Sequence, residues 1–174
     1  MEKVLYSIIR LYRKIRSKFW SRILKMQCER HGLHVGVSTF CRVSGGAKLY
    51  IDDHFHSNGL DILGIGEVRI GRYFHSGSNC KIMLGSHDYD HGEAIPYGNL
   101  NTHKTVIIDD FVWLGTDVTI SGDVHIGQGA VVAVGSVVVK DVPPMAVVGG
   151  NPAKVIKYRD EEHFNKLLER ECFH

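Results

Sequence analysis

A repeat of six residues is the feature that most limits how this chain can fold. Counting from Ile108, every sixth residue is a branched aliphatic as far as Val138. A unit of six residues is too short for a strand and a helix, so it favours a short strand followed by a bend. One unit cannot bury its aliphatic side chain alone, so successive units must stack. The residues in this frame are Ile108, Leu114, Ile120, Ile126, Val132 and Val138.

A second position of the unit is also restricted, and the same spacing recurs earlier in the chain. The residues four places after the first five aliphatics are Val112, Val118, Val124, Ala130 and Ser136. Weaker traces of the frame are Val37, Val43, Leu49, Ile70 and Ile82. The abundance of β-branched Val and Ile suits strands. The pattern predicts a mainly β solenoid over residues 32–158, and a β-sandwich with accidental spacing is the alternative.

Two segments interrupt this rhythm. Residues 88–106 contain Gly, Pro, Asn and His and keep no aliphatic frame, so they are expected to form a loop inserted at a corner. Long loops on a rigid scaffold often carry functional residues. Residues 159–174 are expected to form a short helix that covers the end of the solenoid. Its inward-facing residues would be Phe164, Leu167 and Leu168.

The first 31 residues predict a basic amphipathic helix. Residues 1–30 hold nine Lys or Arg and two Glu, a net charge of +7, whereas residues 31–174 carry a net charge of −5. Two interpretations stay open: packing on this domain or a neighbouring subunit, and contact with an anionic lipid surface. Nucleic acid is not an expected partner, because no groove-reading motif follows. The apolar stripe comprises Leu5, Ile8, Tyr12, Ile15, Phe19, Ile23 and Met26.

Several classes of protein are disfavoured by composition. No apolar run approaches the roughly 18 residues that cross a bilayer. No short apolar segment with a cleavage site suggests secretion. The four cysteines are scattered, as in a cytoplasmic protein with reduced thiols. They are Cys28, Cys41, Cys80 and Cys172.

The segment VWLGTDVTISGDVHIGQGAVVAVGSVVVKDVPPMAVVGGNPAKVI resembles the C-terminal half of the hexapeptide-repeat acyltransferases. The sugar O-acetyltransferase branch, with the maltose, galactoside and colanic-acid acetyltransferases, is the most similar. The resemblance covers about residues 35–158 and leaves the basic helix outside. It implies a left-handed parallel β-helix, assembled as a homotrimer with active sites between subunits. It also implies transfer of an acetyl group from acetyl-CoA to a sugar hydroxyl.

The motif GSHDYD holds the candidate general base. An alcohol is a poor nucleophile at neutral pH, and a neutral imidazole is suited to take its proton. His87 matches the catalytic histidine of the family. Asp88 would orient the imidazole, and a role in turning the loop is the alternative. No nucleophilic Ser or Cys motif is present, so direct transfer is expected rather than a covalent intermediate.

The resemblance also implies binding residues for both substrates. Asn58 matches a residue that contacts the sugar, although it also suits a turn before Gly59. Positions that would contact CoA run along the last coils, with lysines near the phosphates where many relatives carry arginine. A solvated surface is the alternative role of those lysines. The CoA positions are Trp113, Thr116, Val134, Val139, Lys140, Lys154 and Lys157.

The chain has eleven histidines, a residue type that often ligates metals. In a strand, His54 and His56 would share a face, and His87 and His91 are also close in sequence, yet no third ligand follows with suitable spacing. No metal is therefore expected.

The predicted function is sugar O-acetylation in bacterial surface-polysaccharide synthesis, in the cytoplasm or at the inner face of the membrane. Alternatives are N-acetylation of an amino-sugar nucleotide, acetylation of a xenobiotic, and a non-catalytic or metal-binding scaffold.

Overall fold

The computed structural model describes residues 2–98 and 103–173. Within these residues, short strands wind into successive coils between two helices, α1 (Glu2–Gln27) and α2 (Glu161–Glu169). The strands are β1 (Val35–Val37), β2 (Arg42–Ser44), β3 (Ala47–Ile51), β4 (Phe55–Ser57), β5 (Leu60–Leu63), β6 (Gly66–Ile70), β7 (His75–Ser76), β8 (Cys80–Met83), β9 (Lys104–Ile108), β10 (Trp113–Leu114), β11 (Thr119–Ser121), β12 (Val124–Ile126), β13 (Val131–Val132), β14 (Val137–Val138), β15 (Ala146–Gly149) and β16 (Lys154–Tyr158).

The strands form three sheets, which are the three faces of a left-handed parallel β-helix. Face A contains β3, β6, β9 and β12; face B contains β1, β4, β7, β10, β13, β15 and β16; face C contains β2, β5, β8, β11 and β14. In each coil the chain passes through face B, face C and face A in that order. Strands of neighbouring coils pair in parallel register. The final strand, β16, pairs antiparallel with β15. The predicted fold class is confirmed.

The six-residue frame lines the interior. All six aliphatics of the frame from Ile108 to Val138 are at most 2% exposed, and the five companion residues from Val112 to Ser136 are at most 3% exposed. Each coil therefore supplies side chains to continuous columns that run along the solenoid axis. Pairing between coils satisfies the backbone N–H and C=O groups, so the narrow interior can stay apolar.

Only the C-terminal part of α1 packs on the solenoid, where it covers the first coil. Leu24 is buried there. The Oγ of Ser21 accepts a hydrogen bond from the N–H of Val37 (3.1 Å), and the Oε1 of Gln27 accepts one from the N–H of Val43 (2.9 Å). These side chains satisfy donors of the first coil, which has no preceding coil to pair with. The helix ends at Gln27, several residues before the glycine at position 32.

The apolar stripe of α1 lies on a different side of the helix from Leu24. Phe19 is 54% exposed and Met26 is 82% exposed. Leu5, Ile8 and Ile15 are also exposed. The helix therefore packs on its own domain through a separate face, centred on Leu24, and most of the stripe stays exposed. Among the described residues, no helix is both long and apolar enough to span a bilayer.

The C-terminal helix lies along the side of the solenoid rather than over its end. Asp160 caps its N-terminus by accepting a hydrogen bond from the N–H of His163 (2.8 Å). Phe164 packs over Gly129, where a Cβ atom would come within 3.2 Å of the Phe164 ring. The Nη1 of Arg159 donates to the Gly129 carbonyl (2.8 Å), and its guanidinium lies 4.9 Å from the Phe164 ring centroid.

The inserted segment leaves the solenoid between faces C and A. Strand β8 ends at Met83, and β9 begins at Lys104, so the last residues of the predicted insert, 104–106, belong to face A. Residues 99–102, within the predicted insert, lie outside the described residues.

Candidate active site

The predicted site residues occupy two different edges of the solenoid. Asn58, Thr116 and Val134 lie at the B–C edge, where the chain passes from face B to face C. His87 and Lys140 lie at the C–A edge, together with Val139, where the chain leaves face C. The two edges are separated by the width of face C, whose longer strands have four residues. At about 3.3 Å per residue this is about 13 Å, so one chain does not bring the two groups into contact.

Hydrogen bonds between coils hold the B–C edge in place. The N–H of Asn58 donates to the Ser76 carbonyl (3.1 Å), and the Asn58 carbonyl accepts from the Oγ1 of Thr39 (2.7 Å). The Thr116 carbonyl accepts from the N–H of Gly135 (2.9 Å). The Asn58 side chain is exposed, and Thr116 is half-buried. This edge therefore presents side chains from three coils along one fixed line.

Face B adds an exposed aromatic residue next to that edge. Trp113 pairs in register with His75 on one side and Val131 on the other, and it is 57% exposed. Its neighbour Leu114 points into the core. An indole on the outer face can provide an apolar contact surface for an extended ligand.

Two of the predicted lysines lie on β16 and the third lies on the C–A edge. Lys154 pairs with Gly149, and Lys157 pairs with Val147. Lys154 is thus at the B–C end of face B, whereas Lys157 lies farther toward the A–B edge. Both of these lysines and Lys140 are exposed. The structure does not bring the three ammonium groups together in one chain.

His87 stands where the inserted segment begins, and its side chain is exposed. Its imidazole stacks on the phenol ring of Tyr97, with 4.0 Å between ring centroids and 13° between the planes. Tyr97 was not predicted from sequence, because it belongs to the aperiodic segment and no motif marks it. Only the return of the loop brings the two rings together.

Asp88 turns the loop that follows His87. Its Oδ1 accepts hydrogen bonds from the backbone N–H groups of His91 (2.8 Å) and Asp90 (3.2 Å). Its carbonyl accepts from the N–H of Gly98 (2.8 Å) and so joins the two ends of the loop. Asp88 therefore has the turn-forming role that sequence left open as the alternative to orienting the imidazole.

Cys41 and Cys80 are buried and Cys28 is half-buried, and burial raises the pKa of each thiol. The pKa of Cys28 rises to about 12, mainly through desolvation and also through the nearby Cys41. Desolvation likewise raises the pKa of Cys41 and Cys80. A thiol must ionise to act as a nucleophile, so none of these three groups is suited to carry an acyl group.

His54 and His56, which the spacing of a strand would place on one face, do not share a face. His54 lies at a corner with φ of 61°, outside β4, and its ring stacks between His34 (4.5 Å) and Tyr73 (4.4 Å). His56 lies on face B and its ring is 4.9 Å from that of His75. The assumption that His54 belongs to the strand was wrong, because the corner of the coil falls at this residue. Residues 2–98 and 103–173 contain no group of three potential metal ligands.

A cavity of about 580 Å³ lies between α2 and face B. The hexapeptide pattern does not predict it, since its walls come from the chain terminus and from corner residues. Phe111 stacks on Tyr73 at 5.1 Å, and Phe173 approaches both rings. Trp113 and Arg159 complete the side nearest to the B face. This cavity is distinct from the His87 loop, which lies on another edge.

Comparison with known proteins identifies the class of this solenoid. A chloramphenicol acetyltransferase from Klebsiella aerogenes is 31% identical over 89% of this chain and 81% of its own length. The chain spans 57% of the length of one curated Saccharomyces cerevisiae relative, which is 38% identical. No family model matches the chain.

Solved structures give the same result. The hexapeptide-repeat-containing acetyltransferase VCA0836 from Vibrio cholerae is 27% identical with a TM-score of 0.52, and the match covers 76% of this chain and 73% of that chain. It has also been solved in complex with acetyl coenzyme A. A galactoside acetyltransferase in complex with coenzyme A shares the fold, with 24% identity and a TM-score of 0.61 over 82% of this chain and 71% of that one. Sequence identity to the Klebsiella enzyme and the shared solenoid together show that this chain belongs to the hexapeptide-repeat acetyltransferase family.

Proposed function

We propose that this protein transfers an acetyl group from acetyl-CoA to a hydroxyl of a sugar, in the synthesis of a bacterial surface polysaccharide. The observation that supports this most directly is the position of His87. An exposed imidazole, backed by an aromatic ring, stands at the start of the long segment inserted into a rigid solenoid. A base in this setting can reach a substrate that lies against the outer surface of the coils.

In this mechanism one ring nitrogen of neutral His87 takes the proton of the acceptor hydroxyl as its oxygen attacks the thioester carbonyl. The new C–O bond forms and the C–S bond then breaks. The imidazolium returns its proton to the departing thiolate, so acetyl ester and free CoA result and the base is regenerated. Cys28, Cys41 and Cys80 take no part, because their raised pKa values keep them as thiols.

The site is complete only when a second subunit is present. His87, Val139 and Lys140 lie on the C–A edge, whereas Asn58, Thr116 and Val134 lie on the B–C edge. A cyclic trimer places the same edge of each subunit against a different edge of its neighbour. We infer that a homotrimer forms three active sites in this way, each with His87 from one subunit and the B–C edge from the next.

The B–C edge and its surroundings fit acetyl-CoA. Trp113 offers an apolar surface for the pantetheine arm, and Thr116 offers a hydroxyl beside it. Lys154, at the end of the same edge, is exposed and supplies a charge for phosphate. Lys140, from the neighbouring subunit's C–A edge, would supply another charge, and Lys157 lies farther along β16.

Calorimetric titration of CoA and acetyl-CoA tests this assignment. We expect one binding event per subunit, with affinity lowered about 10- to 100-fold in Lys140→Ala/Lys154→Ala, since each change removes a charged phosphate contact. Lys48→Ala, an exposed lysine on face A, is the matched control and should bind as the native protein does. Absence of binding at millimolar CoA would overturn the transferase assignment for this chain.

A xenobiotic acceptor is the second candidate, and one observation favours it. The relative that matches 89% of this chain is named a chloramphenicol acetyltransferase. Asn58 supports the sugar, because a side-chain amide can both donate to and accept from neighbouring hydroxyls. Assay of the same preparation with a panel of sugars and with chloramphenicol separates the two candidates by their kcat/KM ratios.

We also propose that α1 rests peripherally on an anionic membrane surface. Its exposed stripe faces away from the contact with the core that Leu24 and Trp20 make. Residues 1–30 carry a net charge of +7, which suits anionic headgroups. A transferase held in this way would meet a lipid-linked glycan at the cytoplasmic leaflet.

Vesicle binding by the full chain tests the membrane contact. We expect cosedimentation with vesicles of phosphatidylcholine and phosphatidylglycerol but not with phosphatidylcholine alone. Ile8→Glu should weaken binding by at least about tenfold, because it removes an apolar side chain from the stripe. Ser7→Glu adds the same charge on another side of the helix and should weaken vesicle binding about fivefold. Equal binding to both vesicles, or loss of the trimer in Ile8→Glu, would instead assign the stripe to a protein contact.

A further inference from the structure

We propose that Tyr97 is a positioning residue for His87, holding the plane of the imidazole in the orientation needed for proton transfer. This inference rests on the proposed function, in which His87 is the general base. The carrying observation is the stack itself: the ring centroids are 4.0 Å apart and the planes are inclined by only 13°. This near-parallel contact joins a residue of the inserted loop to the candidate base.

The loop is built so that Tyr97 returns to His87. The N–H of Gly98 donates to the Asp88 carbonyl (2.8 Å), which closes the segment one residue beyond each stacked ring. Gly92 lies against the same junction, where a Cβ atom would come within 2.5 Å of the Asp88 carbonyl oxygen. Gly98 is buried although Tyr97 and His87 are exposed. The hydrogen bond and the close glycine contact thus set the distance between the two rings.

Stacking suits a base that exchanges protons with substrates. A carboxylate partner would occupy one ring nitrogen with a hydrogen bond. An aromatic ring covers only the face of the imidazole, so both nitrogens stay available at its edge. Oδ1 of Asp88, the expected orienting group, accepts from the backbone N–H groups of Asp90 and His91. We therefore assign the orientation of the His87 imidazole to Tyr97 rather than to Asp88.

Three variants separate the ring from the rest of the loop. Tyr97→Leu removes the aromatic face, Tyr97→Phe keeps it without the hydroxyl, and Tyr89→Leu changes another exposed tyrosine of the same segment. A misplacement of a catalytic group by about 1 Å can lower a rate by about 100-fold. We expect kcat of Tyr97→Leu to fall about tenfold with KM for acetyl-CoA within about twofold of native. Tyr97→Phe and Tyr89→Leu should stay within about twofold of native in both constants.

A second readout reports the stack without any assay of activity. The ring protons of His87, assigned by comparison with His87→Ala, should show an upfield ring-current shift in spectra of protein with ¹³C-labelled histidine. The shift should be lost in Tyr97→Leu and kept in Tyr97→Phe. Native kcat in Tyr97→Leu, or His87 ring protons that do not move in that variant, would overturn the positioning role. Full activity of His87→Ala would instead overturn the proposed base, while the spectra still tested the stack.

Discussion

Replacing His87 by Ala is expected to lower kcat by about 10²- to 10⁴-fold, the usual contribution of a general base. The imidazole is exposed, so its removal leaves no buried cavity and the solenoid should stay folded. Binding of CoA should be unchanged, because the CoA contacts are assigned to other side chains on the B–C edge and to Lys140, Lys154 and Lys157. Steady-state kinetics with acetyl-CoA and the best acceptor of the panel, beside calorimetry, check both parts.

Mixing subunits extends this prediction to the assembly. Val134 is 70% exposed on the B–C edge, and Val134→Trp should block that edge without disturbing the core. Each variant alone should be nearly inactive. Mixed trimers refolded from equal amounts of His87→Ala and Val134→Trp should recover up to about a quarter of native activity, because some interfaces then pair two intact edges. No recovery in proven mixed trimers would show that the two edges do not share a site.

Replacing Ile120 by Ala is expected to lower the free energy of unfolding by about 2–5 kcal/mol. Ile120 is fully buried in the six-residue column, between the coils above and below it. Loss of three carbons there leaves a cavity that parallel coils cannot easily close. Urea unfolding at a fixed protein concentration measures the change, since assembly also contributes to stability.

The matched control for this change is Ile156→Ala. Ile156 is 64% exposed on the antiparallel strand β16, outside the repeat. Its replacement should cost less than about 1 kcal/mol. A similar loss in both variants would contradict the idea that the six-residue column, rather than apolar content in general, supports the fold.

The sequence predicted the N-terminal helix but not the face that packs. Leu24 and the stripe from Leu5 to Met26 are all apolar, so hydropathy alone could not distinguish them. The deciding contacts are polar: Ser21 and Gln27 accept hydrogen bonds from the first coil and so fix the rotation of the helix. With that rotation set, Leu24 is buried and the longer stripe faces outward.

The candidate site was likewise predicted from the sequence only in part. His87 was predicted from the motif that surrounds it, and the positions along the last coils followed from the family resemblance. That these residues divide between two edges depends on where each corner falls in three dimensions. The sequence also could not predict which side of His87 the inserted segment would return to, because residues 88–98 have no repeating pattern.

Periodicity alone was enough to predict a β-solenoid, because a period of six leaves room for only one strand and one bend in each unit, and stacking is then the only way to bury the aliphatic frame. The tertiary structure alone decided the contacts that depart from this period. Tyr97 lies over His87, α2 packs along the side near Gly129, and His54 lies at a corner rather than in a strand. Each of these depends on a loop closure, a gap between side chains or a corner, and local sequence does not encode the distances involved.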